Sequence, residues 1–162
     1  MNIKTDVPAW TSLDSKAALV NAIGAGVAIV ELTTADPNAW GFFRLPFDKI
    51  LLVGYADLGL FPVADCIDNR LLVGINELLA CFDADTLNCR FLYRMPTVFH
   101  EFISLENKII VRDEIGFLGI SINGEELWNF LTSGPINMFY SKSGRIYGET
   151  IDGEVFDFAI PA

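Results

Sequence analysis

From Trp40 onward the chain is a succession of short apolar or alternating runs, each bounded by Gly, Asn, Asp or Ser. Runs of that length with such boundaries are the signature of strands joined by tight turns. The pattern predicts strands near 40–45, 49–55, 59–66, 70–75, 78–82, 89–94, 98–105, 108–113, 117–122, 126–131, 136–141, 145–149 and 154–159. A further strand at 27–32, followed by a turn over Thr33-Thr34-Ala35-Asp36-Pro37-Asn38, makes fourteen. Their connections are short, and a parallel pair needs a crossover of about a dozen residues, so the expected sheet is an antiparallel meander. Ahead of it, Ser12 is placed to cap one short helix across Leu13 to Ile23. Leu13, Ala17, Val20 and Ile23 recur there at helical spacing, and Gly24 can end the helix in a left-handed conformation.

The second half repeats. Asn69-Arg70-Leu71-Leu72-Val73 answers to Asn107-Lys108-Ile109-Ile110-Val111 and to Gly144-Arg145-Ile146-Tyr147-Gly148, with starts 38 and 37 residues apart. A period of this size made only of strands is how blade-like repeats look in sequence. Asn123-Gly124 and Asp152-Gly153 carry hairpin chemistry, since both residues of each pair tolerate positive φ. Asp83-Ala84-Asp85-Thr86-Leu87-Asn88 reads as a longer turn, and the three are expected at matching positions of successive units. The fold expected is all-β: about 3.5–4 propeller-like units of four strands, the alternative being a rolled β-sandwich. The last unit, 144 to 162, has two strands, which 27–32 and 40–45 can complete by closing a ring. One domain is expected over 1–162, with an N-terminal segment at 1–26 carrying the helix and repeated β units from 27 onward.

At these residues the chain resembles a known repeat. Gly119-Ile120-Ser121-Ile122-Asn123-Gly124-Glu125-Glu126-Leu127-Trp128-Asn129-Phe130 is similar to the strand, Gly-containing turn, strand and Trp of quinoprotein-type, WD-like propeller repeats. Asp83-Ala84-Asp85-Thr86 resembles the Asp-Ala-x-Thr turn of the same repeats, although Asn88 stands near where that family has Gly and Tyr93 replaces the later Trp. The resemblance spans about 69–162. It implies a repeat type and not an activity, because such repeats serve scaffolds as well as enzymes.

Composition then narrows the class. Of 162 residues, 52% are hydrophobic and 13 are Phe, which excludes disorder. The longest apolar run, around Lys49 to Tyr55, falls far short of the roughly 18 residues a membrane helix requires. The first residues, Met1 to Pro8, show no basic start leading into an apolar run, so a cytoplasmic protein is expected. Cys66, Cys81 and Cys89 match no metal or redox spacing and read as reduced, buried thiols. The balance of 11 Lys and Arg against 21 Asp and Glu gives a net charge of −10. That argues against nucleic acid as a partner and for a basic protein.

Chemistry is sparse. His100, the single histidine, has no Gly-x-Ser-x-Gly elbow or cysteine context beside it, so it reads as a structural or surface residue. Neighbouring carboxylates such as Asp113 with Glu114, or Glu125 with Glu126, point to opposite faces of a strand and cannot share a glycosidase-type site. The loop at Asp83-x-Asp85 lacks the Gly and Glu of a calcium loop, with Asn88 and Arg94 in those places. Gly24-Ala25-Gly26 comes after the expected helix, so it makes no phosphate cradle. No catalytic residue, metal or cofactor is expected.

The acids therefore carry the functional reading. Asp83, Asp85, Asp113, Glu114, Glu125, Glu126, Glu149, Asp152 and Glu154 all fall at strand ends or turns, where hairpin ends of successive blades are expected to gather as one negative rim. Trp128, at a fixed point of the repeat, reads as packing, whereas Trp10 and Trp40 fall outside that register and are candidate surface anchors. In its short, acidic, motif-poor character the chain resembles immunity proteins of contact-dependent growth inhibition systems. That resemblance implies a cytoplasmic, protein-binding inhibitor that occludes the active site of a basic toxin, specifically a nuclease. The alternatives are a propeller-like interaction scaffold and a carbohydrate-binding module.

Overall fold

The computed structural model of this chain describes residues 7–106 and 108–162. Asn107 of the repeat, and the residues before Val7 read for a secretion signal, lie outside the described residues. Fifteen strands are described: β1 (Trp10–Leu13), β2 (Ala28–Thr33), β3 (Ala39–Leu45), β4 (Lys49–Tyr55), β5 (Val63–Ile67), β6 (Arg70–Ile75), β7 (Leu78–Asp83), β8 (Cys89–Arg94), β9 (Phe99–Leu105), β10 (Ile109–Asp113), β11 (Gly116–Ile120), β12 (Glu126–Leu131), β13 (Ile136–Lys142), β14 (Arg145–Thr150) and β15 (Val155–Ala159). They form four sheets, ordered β1-β3-β4-β2, β5-β6-β7-β8, β12-β11-β10-β9 and β13-β14-β15. The chain divides into two compact units, one ending at Arg94 and the other running Met95–Ala162. The architecture is all-β with propeller-like, four-stranded repeats.

In the first unit, β4 explains how two sheets stack. Every residue from Ile50 to Tyr55 is buried, as expected for a central strand covered on both faces. Leu51, Val53 and Tyr55 join Leu32, Phe43 and Leu45 against Leu71, Val73, Ile75, Ala80 and Phe82 of the second sheet. Ile50 and Leu52 face the other way and meet Phe42, Leu19, Ile23 and Val27. Asn76, left-handed at φ 45, ties the two sheets at their ends: its side chain accepts the Ala56 amide at 2.9 Å and donates to the Ala56 carbonyl at 2.8 Å. In the second unit, Phe117, Trp128 and Phe130 of the third sheet pack on Ile146, Phe156 and Phe158 of the fourth, with Phe130 stacked on Phe158 at 4.0 Å.

Three expectations about the N-terminal part are corrected. The short N-terminal helix is present but starts later than expected and is not capped by Ser12, because Trp10–Leu13 pairs with β3 as a fifteenth strand and Ser12 lies opposite Gly41. After that strand come a 3-10 turn at Lys16–Ala18 and one α-helical turn, α1, at Leu19–Ala22. Gly24 does not end it in the left-handed region; Gly26 carries the positive φ, at 84. Second, the meander is not antiparallel throughout, since β2 pairs in parallel with β4. β3 occupies the intervening chain and the far side of β4, which supplies the long connection a parallel pair needs. Third, the strands at 27–32 and 40–45 do not complete the last unit: they pair with β4, and the fourth sheet has three strands.

Every tryptophan lies over a glycine. Trp40 is the register partner of Gly54, and Trp128 of Gly119, while Trp10 covers Gly41 from the neighbouring strand. Phe156 repeats the device over its partner Gly148. A Cβ on Gly54 would meet the Trp40 ring at 2.6 Å, and one on Gly41, Gly119 or Gly148 would come closer still. The ring fills the space that the missing side chain leaves, which joins two strands more tightly than either residue would alone. We predict that Gly119→Ala costs about 1–3 kcal/mol through overpacking. Gly24→Ala, whose Cβ would meet nothing within 4 Å, should stay within about 0.5 kcal/mol of the parent. Urea denaturation of both variants measures the difference.

Candidate functional site

The turns bearing the acids are built by two related devices. Ser121-Ile122-Asn123-Gly124-Glu125 and Thr150-Ile151-Asp152-Gly153-Glu154 share one geometry. In each, the Gly amide donates to the carbonyl three residues back at 3.0 Å, and the Glu amide donates to the Ser or Thr hydroxyl at 3.1 Å. Only Gly124 and Gly153 adopt positive φ, at 89 and 83, so these are three-residue turns with a glycine bulge and not two-residue turns with both residues left-handed. The shared Ser/Thr-Ile-Asn/Asp-Gly-Glu pattern is visible in the sequence, but it falls out of step with the 37–38-residue repeat and so does not stand out there.

The longer turn is organised by Asp83. Its carboxylate accepts the amides of Thr86 and Asp85 and the Thr86 hydroxyl, and pairs with Arg90 at 2.5 Å. Those bonds, the Thr86 amide foremost and Arg90 next, hold its pKa at about 2. Asp83 is thus neutralised within the molecule. Asp85 is exposed, and its carbonyl accepts the Lys49 ammonium.

The three turns do not occupy matching positions. The turns near 85 and 123 join the third and fourth strands of their sheets, whereas the turn at 152 joins the second and third. Successive turns of a meander alternate between its two ends. Asp113 and Glu114 therefore lie at one end of the third sheet, and Glu125 and Glu126 at the other. The single continuous rim expected from sequence is corrected to segregated ends.

One end of the Met95–Ala162 unit gathers carboxylates. The Ile136 amide donates to the Glu114 carbonyl at 3.1 Å, and the Ile151 amide to the Pro135 carbonyl at 2.8 Å, which ties the turns carrying Glu114 and Asp152 together. Glu114, Asp152 and Glu154 are exposed and Glu149 is half-buried beside them. Among the described residues, none of these four belongs to an ion pair. Asp113 is fully buried, its oxygens accepting the Thr97 and Ile115 amides, and acts as a turn anchor. By the same alternation Glu125 and Glu126 fall at the opposite end, as do Lys108, Lys142 and Arg145. Arg145 is held by Asp157 at 2.8 Å, and the Lys108 ammonium donates to the Pro161 carbonyl. Asn129 donates to Glu126 at 2.7 Å.

The aromatic candidates are placed differently from their expectation as free anchors. Trp10 packs on Phe43 and Tyr55, with ring centroids 5.0 and 5.8 Å apart, and its indole donates to the Ser12 hydroxyl. Trp40 lies between Gly54 and the Lys16 ammonium, 5.1 Å from its ring. Both are half-buried. Two cavities accompany the sheets: about 260 Å³ on the fourth sheet, lined by Met138, Tyr140, Tyr147, Glu149 and Val155, and about 430 Å³ in the first unit between Thr34, Leu58, Asn76 and Arg94. Neither is lined by a tryptophan. The aromatic and apolar surface of the first of these is hidden in the sequence because each residue there also satisfies the alternation of an ordinary strand.

His100 and the cysteines are structural in different degrees. Arg112 donates from its guanidinium to Glu101 at 2.9 Å and lies 3.1 Å from His100 Nδ1, so the imidazole is neutral and accepts. Burial first, and the Arg112 charge second, push its pKa below the ordinary 6.5. Cys81 is buried, and burial raises its thiol to about 11; Cys66 is half-buried and raised for the same reason. Cys89 is exposed, which corrects the reading of three buried thiols.

No family model matches the chain, and no curated protein does. Among solved structures it is similar to the computationally designed Ika4 protein, a β-propeller-like design, with a TM-score of 0.50 and 12% identity over 85% of this chain and 94% of that one. Ika8, also designed, matches with a TM-score of 0.49 and 10% identity over 80% of this chain and 45% of its own. BamB from Moraxella catarrhalis matches with a TM-score of 0.32 and 12% identity over 83% and 59%. The Ika4 likeness shows the fold alone, and the class it defines is that of propeller-like all-β proteins. Among the described residues no helix is long and apolar enough to cross a membrane.

Two outcomes check this geometry. A thiol reagent at pH 8 should label Cys89 first and leave Cys81 unmodified until unfolding, read by mass spectrometry. An NMR titration should place the His100 pKa below 6.5. Because the folded value is depressed, the unfolded chain takes up the proton first. The contribution to stability is present above the unfolded pKa and is lost as pH falls toward the folded one, and His100→Gln should flatten that slope.

Proposed function

We propose that the chain is a protein-binding module that holds a basic partner through the carboxylates at one end of its second unit. In its finer form, it is a cytoplasmic immunity protein that neutralises a basic nuclease toxin by occluding the toxin's active site, with no catalysis of its own. The observation that carries this reading is the group Glu114, Asp152, Glu154 and Glu149 on hydrogen-bonded turns, with no ion pair of their own among the described residues. A field of unpaired carboxylates steers a cationic surface and speeds its encounter. Exposed Ile151 and Val155 beside them supply apolar contact for the centre of an interface. Asp83 and Asp113 leave the binding set because the molecule itself satisfies them, and the half-buried Trp10 and Trp40 leave the anchor role.

The test is capture of a basic nuclease domain encoded beside this chain, followed by association kinetics across ionic strength. The expected outcome is an on-rate that falls at least tenfold between about 50 and 500 mM salt. The triple variant Glu114→Gln, Asp152→Asn, Glu154→Gln should show most of that loss already at low salt. A rate indifferent to salt and to the triple variant removes the carboxylate mechanism.

A further inference from the structure

Among the described residues the fourth sheet has three strands where the two before it have four. By the repeat register, β6, β10 and β14 correspond, and so do β7, β11 and β15. β7 pairs on its far side with β8, and β11 with β12, whereas β15 pairs with β14 and with no other strand among the described residues. The unused edge is well formed. Thr150 N donates to the Glu154 carbonyl and Ile160 N to the Gly144 carbonyl. With the intervening register unbroken, Phe156 and Phe158 direct their amides inward to β14, and Val155, Asp157 and Ala159 direct theirs to the open side.

The face beside that edge is also open. β7 and β11 are buried almost throughout, but β15 is buried only at Phe156, and Val155 is 76% exposed. Met138 and Tyr140 are likewise exposed, and Tyr140 stacks on Tyr147 with centroids 5.1 Å apart. The cavity of about 260 Å³ opens between these rings, Val155 and Glu149. Arg145 is committed to Asp157, with bonds of 3.0 and 2.8 Å, and its guanidinium lies 6.0 Å from the Tyr147 ring centre, so the carboxylate that faces the cavity without an ion pair is that of Glu149, with Asp152 and Glu154 at the adjoining turn. An aromatic pair flanked by a carboxylate suits a cation on a long apolar stem.

We propose that the edge of β15 receives an extended segment of a partner protein as the fourth strand of this sheet. An Arg or Lys of that segment crosses over Val155 to place its charge beside Glu149. Main-chain bonds to Val155, Asp157 and Ala159 supply the pairing, and the cavity supplies the choice of side chain. The inference rests on the protein-binding reading above and names the chemistry of what is bound: a strand alternating apolar and basic residues.

The experiment titrates the isotope-labelled full chain with three seven-residue peptides: alternating Val and Arg, alternating Val and Glu, and the Val-Arg peptide N-methylated at alternate amides. Saturable shifts of the Val155, Asp157 and Ala159 amide resonances with the first peptide are expected. Binding of the second should be at least tenfold weaker, and the third should not bind. Glu149→Gln should weaken the first by about tenfold while leaving the parent spectrum elsewhere intact. Equal binding of the Val-Arg and Val-Glu peptides, shifts confined to β8 or β12, or insensitivity to N-methylation or to Glu149→Gln would overturn the proposal. So would a chain that sediments as a dimer with these three amides already protected, since the occupant is then a second copy. A triple variant of Glu114, Asp152 and Glu154 that loses the nuclease partner while the peptide result is negative would sink this inference and leave the carboxylate reading standing.

Discussion

Ring-over-glycine pairing is the constraint on which the sheets depend. A strand can be covered on both faces only if its neighbours leave room, and Gly41, Gly54, Gly119 and Gly148 are the places where a side chain is given up so that Trp10, Trp40, Trp128 or Phe156 can lie flat across the ladder. Each pair fixes register, because a one-residue slip would turn the ring to the other face and set a Cβ where the glycine was. It also accounts for the packed position of all three tryptophans against neighbouring strands. Trp128 shows the cost: its indole N–H is buried without a hydrogen-bond partner, pressed against Gly119, and the fit of the ring is retained at the expense of that donor.

The strands were legible because two local signals agree. Leu71 to Ile75 and Ile109 to Val111 are continuous apolar runs bounded by turn residues, and these runs became strands within a residue or two of their expected ends. The start of the N-terminal helix was misplaced because Leu13, Ala17, Val20 and Ile23 do recur at helical spacing, yet Trp10 finds a partner across Gly41 that no local pattern announces. Tertiary pairing overrode a weak propensity there. The parallel register of β2 was hidden for a related reason: a run such as Ala28–Thr33 is the same in either direction, and only its position beyond β4 decides the sense.

Charge was legible in amount and not in place. Composition sets a net −10, but a meander sends alternate turns to opposite ends, so counting acids at turns mixes two surfaces. Once the turns are assigned, the pattern sharpens. Asp83 and Asp113 are consumed by backbone amides, as short acidic side chains at turns commonly are. Glu125 and Glu126 share their end with Lys142 and Arg145, and Glu114, Asp152 and Glu154 keep theirs free of ion pairs among the described residues. The twin turns at Ser121–Glu125 and Thr150–Glu154 make the same point within one motif: identical local chemistry presents a glutamate at opposite ends, because one comes after the third strand of its sheet and the other after the second.

Among the described residues the fourth sheet keeps one edge that no strand pairs with, and sheet proteins must either cap such groups or use them. Asp157, in the middle of β15, does part of the capping, since a charge on an edge strand discourages indiscriminate pairing. Its partnership with Arg145 limits that effect by balancing the charge across the sheet. The proposed strand site would make the exposed surface selective rather than inert, with aromatic rings and a carboxylate beside an edge free to pair. The edge that costs the fourth sheet a row of main-chain bonds is thus the one at which the proposed partner strand would restore them.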